Sequence, residues 1–115
     1  MNNNLIDKAT EHFKSVVSQD LKGPIDVPEW ETQLYYKPST TMAQETKVIE
    51  LTQAGKTTEA LILTLIQRAC DADGKPVFSI EHKARLMNAV DPKVILRVVN
   101  KMGEDAESAE EFLGN

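Results

Sequence analysis

VPEWETQLYYKP, residues 27–38, is unlike the rest of this chain. It holds the only tryptophan, both tyrosines and two of the five prolines among 115 residues. Leu34 and Tyr36 alternate with Gln33, Tyr35 and Lys37, and just upstream Ile25 and Val27 flank Asp26. Alternation with period two reads as two short strands. The intervening EWET, residues 29–32, has the length of a hairpin loop. Pro28 and Pro38 cannot donate to a ladder, so each marks a strand end or an edge. A two-stranded hairpin alone is marginal in water. It must lie on the flanking helices or pair with something else.

Those flanks read as amphipathic helices. Residues 5–19 place Leu5, Ile6, Ala9, Phe13, Val16 and Val17 on one stripe, with Asn4 as a cap and KGP at 22–24 as a stop. Thr41 and Gln44 form a capping-box pattern for a helix running to about Ala54 and stopping at Gly55. Thr57 is then expected to cap a helix carrying Ala60, Leu61, Ile62, Leu63, Leu65, Ile66, Ala69 and Cys70. A helix apolar nearly all round is the buried central one. DADGKPVF, residues 71–78, turns the chain, and Ser79 starts a helix with Ile80, Ala84, Met87 and Val90 facing inward. Asp91-Pro92 is an N-cap followed by proline at the first helical position, after which Val94, Ile95, Val98, Val99 and Met102 face the core until Gly103. The fold class is mainly α with a small β-hairpin (α+β): one helical domain over residues 1–103, its β element at 24–38, and an acidic tail over 104–115. The tail is expected to be mobile, or to fold only on a partner.

Composition narrows the function. The net charge is −5, yet five of the eighteen acids follow the last base, Lys101, so thirteen acids balance thirteen bases before them. Nucleic acid requires a basic face, and the balanced charge of the body points to no obvious one. The single cysteine, Cys70, excludes an intramolecular disulfide and suits a reducing compartment. The first residues show no basic segment followed by an apolar run, and the apolar cluster ALILTLI is too short for a bilayer. A cytoplasmic location is expected.

Two motifs resemble chemistry and fail. AGKTT, residues 54–58, matches the end of a phosphate-binding loop, but the first glycine of that pattern falls on Glu50, whose carboxylate would repel phosphate. It also follows a helix, where such loops follow a strand. DADGK, residues 71–75, resembles half a calcium loop, but positions one and twelve fall on Ala69 and Ile80. His12 and His82 lack metal-pair spacing, and Cys70 reads as a small core residue. No catalytic, cofactor-binding or metal-ligating residue is assigned, and no enzyme is read here. The candidates for function are Trp30, Leu34, Tyr35 and Tyr36 as partner-binding residues, because Trp and Tyr dominate interface hot spots and an unpaired strand edge recruits a partner. The competing reading is that these aromatics cover the open side of the helical core.

Taken in order, DKATEHFKS, IDVPEWETQLYYKPST, a helix pair, DADGKPVFSIEHKARLMNAVDPKVILRVVNKM and an acidic tail resemble the small tail assembly chaperones of long, non-contractile-tailed bacteriophages. The likeness covers about residues 5–103. Its more specific pieces are VPEW with YYKP, DGKPVF before a helix, and VDPKVILRV. Relatives often have glycine directly after the tryptophan, where this chain has Glu31, which leaves the loop geometry open. The resemblance implies a protein made in the host cell cytoplasm and absent from the finished virion. It implies binding to the tape measure protein, which is kept soluble and presented to tail tube subunits. It also implies contact with the tail tube protein through a frameshifted longer form, and self-association is a further expectation. Neither nucleic acid, membrane nor a cofactor is expected as a partner. The rival reading is a small acidic regulatory protein that masks a nucleic-acid-binding site, with the tail as decoy.

Overall fold

The computed structural model of the chain describes residues 3–19 and 21–104, without the side chains of residues 3, 17–19 and 104. Apart from the backbone of Glu104, the expected acidic tail lies outside the described residues. The elements are α1 (Asn3–Gln19), β1 (Lys22–Val27), β2 (Thr32–Tyr36), α2 (Met42–Gln53), α3 (Thr57–Arg68), β3 (Ala69–Cys70), α4 (Lys83–Asn88) and α5 (Pro92–Glu104). The class is α+β, as expected from the pattern.

The hairpin is real, and its inner face is the one the alternation predicts. Ile25 sits opposite Leu34 and Val27 opposite Thr32, and Ile25, Val27, Leu34 and Tyr36 are all buried. Its turn is a tight 3-10 turn over Pro28–Trp30, closed by the Glu31 N–H donating to the Pro28 carbonyl at 3.0 Å. Glu31 adopts the left-handed conformation, φ 54° and ψ 41°, a region that costs an L-residue roughly 1–2 kcal/mol and glycine little. The geometry left open by the sequence is therefore a turn that suits glycine yet holds glutamate.

What stabilises the hairpin is a third strand. β3 pairs antiparallel with β2, Tyr35 opposite Cys70 and Tyr36 opposite Ala69, giving the order β1-β2-β3. Ala69 and Cys70, read from sequence as the last turn of the buried helix, are strand. Helix spacing cannot reveal this, since the pairing joins positions thirty-three and thirty-five residues apart. The aromatic strand is thus the centre of the sheet, not an edge. β1 is the outer strand, and Pro24 with the bulge between Lys22 and Ile25 blunts it against further pairing.

α3 is the central helix, packed on by α2, α4 and α5, while α5 also crosses β1. Ala60, Ile62, Leu65 and Ile66 of α3 meet Val94, Ile95, Val98, Val99 and Met102 of α5 in one core. The expected stops and caps hold at α2, where the Thr41–Gln44 capping box forms, and at Asp91, whose Oδ1 accepts from the Lys93 N–H at 3.0 Å. The cap of α3 is Lys56, one residue before Thr57, and carries no side-chain bond. Arg68 clamps the helix to the sheet: its Nε donates to the Lys37 carbonyl at 2.9 Å and its guanidinium lies 5.3 Å from the Tyr36 ring centroid.

Two expected faces are corrected. Ile80, Ala84 and Met87 are exposed and Val90 is half-buried, while Leu86 is the buried residue of α4. The chain enters this helix through a 3-10 turn over Ile80–His82, whose three residues per turn shift the phase of every later position. The stripe of α1 is exposed at Leu5, Ile6 and Ala9 and only half-buried at Phe13 and Val16.

Candidate docking surface

The four aromatic-strand candidates divide into two kinds. Leu34 and Tyr36 point inward and are 4% and 5% exposed, so they belong to the core. Trp30 and Tyr35 are half-buried, Trp30 in the 3-10 turn and Tyr35 on β2. Tyr35 projects from the face opposite Leu34 and Tyr36, where its ring covers Gly23. A Cβ at Gly23, φ 118°, would meet the Leu34 carbonyl oxygen at 2.9 Å and the Tyr35 ring at 3.3 Å. Trp30 packs on the rim of the core, edge-on to Phe78 with centroids 6.0 Å apart and planes at 82°. Phe78 is in turn edge-on to His82 at 6.2 Å. Such pairs favour an edge-to-face arrangement because the ring edge is positive and its face negative.

Trp30 and Phe78 form one wall of an open groove of about 350 Å³, completed by Thr32, Leu34, Val77, Leu86 and Val90. On the far side of Leu86 and Val90 a second groove, about 170 Å³, runs between α3, α4 and the start of α5 past Leu61, Met87 and Leu96. The two share Leu86 and Val90, so a continuous apolar band bends around α4. The sequence pointed to Trp30 but not to Phe78, Leu86 or Leu96. Each of these segments gives the band only two or three residues, too few to leave a periodic signal.

The chemistry of the band is apolar contact. Among the described residues no polar or charged side chain is buried, and no group of three or more His, Cys, Asp or Glu could hold a metal ion. Cys70 is fully buried in β3, and burial pushes its thiol up from the ordinary value, which keeps it protonated and unreactive. The charges it feels belong to Lys37 and Asp71, with no histidine among them. No described helix is long and apolar enough to cross a membrane. Charge gathers instead at the hairpin tip. Glu29 accepts from Arg97 Nη1 at 2.8 Å and Nη2 at 2.6 Å, and this bidentate bond holds its carboxyl at about 2, well below the ordinary 4.5.

Neither a protein-family model nor a curated protein sequence matches the chain. Among solved structures, the tail assembly chaperone of bacteriophage HK97 superposes with a TM-score of 0.60, over 83% of this chain and 94% of that one, at 17% identity. The chain has the fold of that chaperone.

Proposed function

Starting from a fold shared with a phage tail assembly chaperone, we propose that this protein acts in the same way. It binds the tape measure protein, keeps it soluble while the tail tube assembles around it, and is left out of the finished virion. The observation that carries the reading is the fold itself, shared over most of both chains. The surface agrees with it. A long helical client offers apolar faces before it is enclosed, and this chain presents an apolar band at α4 together with the uncovered stripe of α1. Binding would take place in the host cell cytoplasm. A longer, frameshifted form would add a contact to the tail tube protein, and copies would associate with one another on the client. Of the four aromatic-strand candidates, Trp30 and Tyr35 keep enough exposure to touch a partner.

Co-expression of a tape measure protein with this chain tests the reading. The soluble fraction of the tape measure protein should rise several-fold over expression alone, and the two should co-purify. No gain in solubility at matched expression would overturn it. Trp30→Ala, Tyr35→Ala then tests the surface. With helix content intact by circular dichroism, an unchanged soluble yield would remove both residues from the interface.

A further inference from the structure

The smaller groove is shaped for side chains more than for a small molecule. At about 170 Å³, lined by Leu61, Ile62, Leu86, Met87, Val90 and Leu96, it falls below the roughly 300–1,000 Å³ of a small-molecule site. It has room for one or two apolar side chains. It opens beside the outer side of α5, where Lys93, Arg97 and Lys101 recur every fourth residue and so line up along the helix. Lys93 and Lys101 are exposed and form no ion pair with any described residue, while Arg97 is held by Glu29. The sequence that follows α5 has the opposite sign. Residues 104–115 contain Glu104, Asp105, Glu107, Glu110 and Glu111, no base, and then Phe112-Leu113, the two large apolar side chains of the segment.

We propose that residues 105–113 turn back along the basic side of α5 and place Phe112 and Leu113 in the groove of the same chain. The reach suffices. Leu96 lies about 12 Å back along the helix from Glu104 at 1.5 Å per residue, and the eight residues 105–112 span up to about 27 Å when extended. The contact can be weak in isolation, because a short tether supplies an effective concentration in the millimolar range. Burial of the two apolar side chains provides most of the affinity. The exposed charges set direction and register, and salt screens them. The docking does not rest on the chaperone reading.

Methyl NMR of the full chain tests the proposal without any client. In Phe112→Ser, Leu113→Ser, the methyl resonances of Leu61, Met87, Val90 and Leu96 should move, while those of Ile25 and Val27 stay. High salt should move the wild-type groove signals the same way by a smaller amount. A synthetic peptide of residues 104–115, added to the double variant at about millimolar concentration, should restore the wild-type positions. Groove methyls unmoved by the double substitution would overturn the proposal. So would shifts that disappear when the wild-type chain is diluted, since these would come from the tail of a second copy. Leu96→Ser, at an exposed position, checks the groove side: the proposal requires it to abolish the response to the peptide.

Discussion

α1 and α5 look alike in sequence and differ sharply in the folded chain. Each repeats apolar residues at helical spacing along one face: Leu5, Ile6, Ala9, Phe13 and Val16 in the first, Val94, Ile95, Val98, Val99 and Met102 in the second. In α5 every member of the stripe is at most 9% exposed, whereas Leu5 and Ile6 of α1 are 67% and 62% exposed. An amphipathic stripe thus states that a helix needs an apolar neighbour without saying which one. α5 finds its neighbours in α3 and β1. In α1 the first part of the stripe, Leu5, Ile6 and Ala9, is exposed within the described chain, and a seventeen-residue helix is marginal in water without an apolar neighbour. Covering Leu5 and Ile6 would contribute about 1.5–3 kcal/mol each. That free energy is available to whatever protein surface comes to rest there.

The largest effect that can break the comparison lies in α5. Met102 is fully buried at the centre of the core, so Met102→Ala removes transfer free energy and leaves a cavity. A loss of about 2–5 kcal/mol in urea unfolding is expected. A loss below about 1 kcal/mol would mean that α5 is held no more firmly than an exposed helix. The matched change in α1 is Ile6→Ser. In the free chain it should alter stability by no more than about 0.5 kcal/mol, as for other surface positions, while lowering the amount of client recovered in co-expression. A loss comparable to Met102→Ala would show that the stripe of α1 is covered in the free protein, and the contrast between the two helices would disappear.

The same contrast marks what could be read from the residues. Where a signal is local, it was legible: the Thr41–Gln44 box, the Asp91 cap, the inward face of α5 and the alternation of Ile25, Val27, Leu34 and Tyr36 all appear as expected. Where the outcome depends on a distant neighbour, it was not. β3 was hidden because Ala69 and Cys70 continue the apolar spacing of α3 and become strand only by pairing with Tyr35 and Tyr36. The face of α4 was misphased by a 3-10 turn that periodicity does not register. At the candidate site, the residues leave Trp30 open between core cover and docking residue, and the structure places it half-buried on the rim of the core. That Leu34 and Tyr36 would be spent on the interior follows from the sheet's having a covered face. The groove itself needs Leu61, Leu86 and Leu96 from three helices to come together, and no short window of sequence contains that arrangement.

The smallest expected effect sits where the well-anchored helix meets the hairpin tip, in the pair between Arg97 and Glu29. Both side chains are more than two-fifths exposed, so water and salt reduce the stabilisation they provide. The electrostatic signature survives that reduction. The Arg97 guanidinium, followed by the backbone N–H of Glu29, holds the Glu29 carboxyl at about 2 instead of 4.5. A depressed carboxyl pKa gives stability that is complete above the unfolded value near 4.5 and is lost as pH falls through the folded value near 2. Titration of the Glu29 side-chain carbonyl by NMR should therefore show a midpoint near 2 at low salt, moving back toward 4.5 in Arg97→Gln. A wild-type midpoint already near 4.5 would mean that the pair is not kept in water. In that case α5 would be fixed by its buried stripe alone, which is the one feature that α1 shares with it in sequence and lacks in the fold.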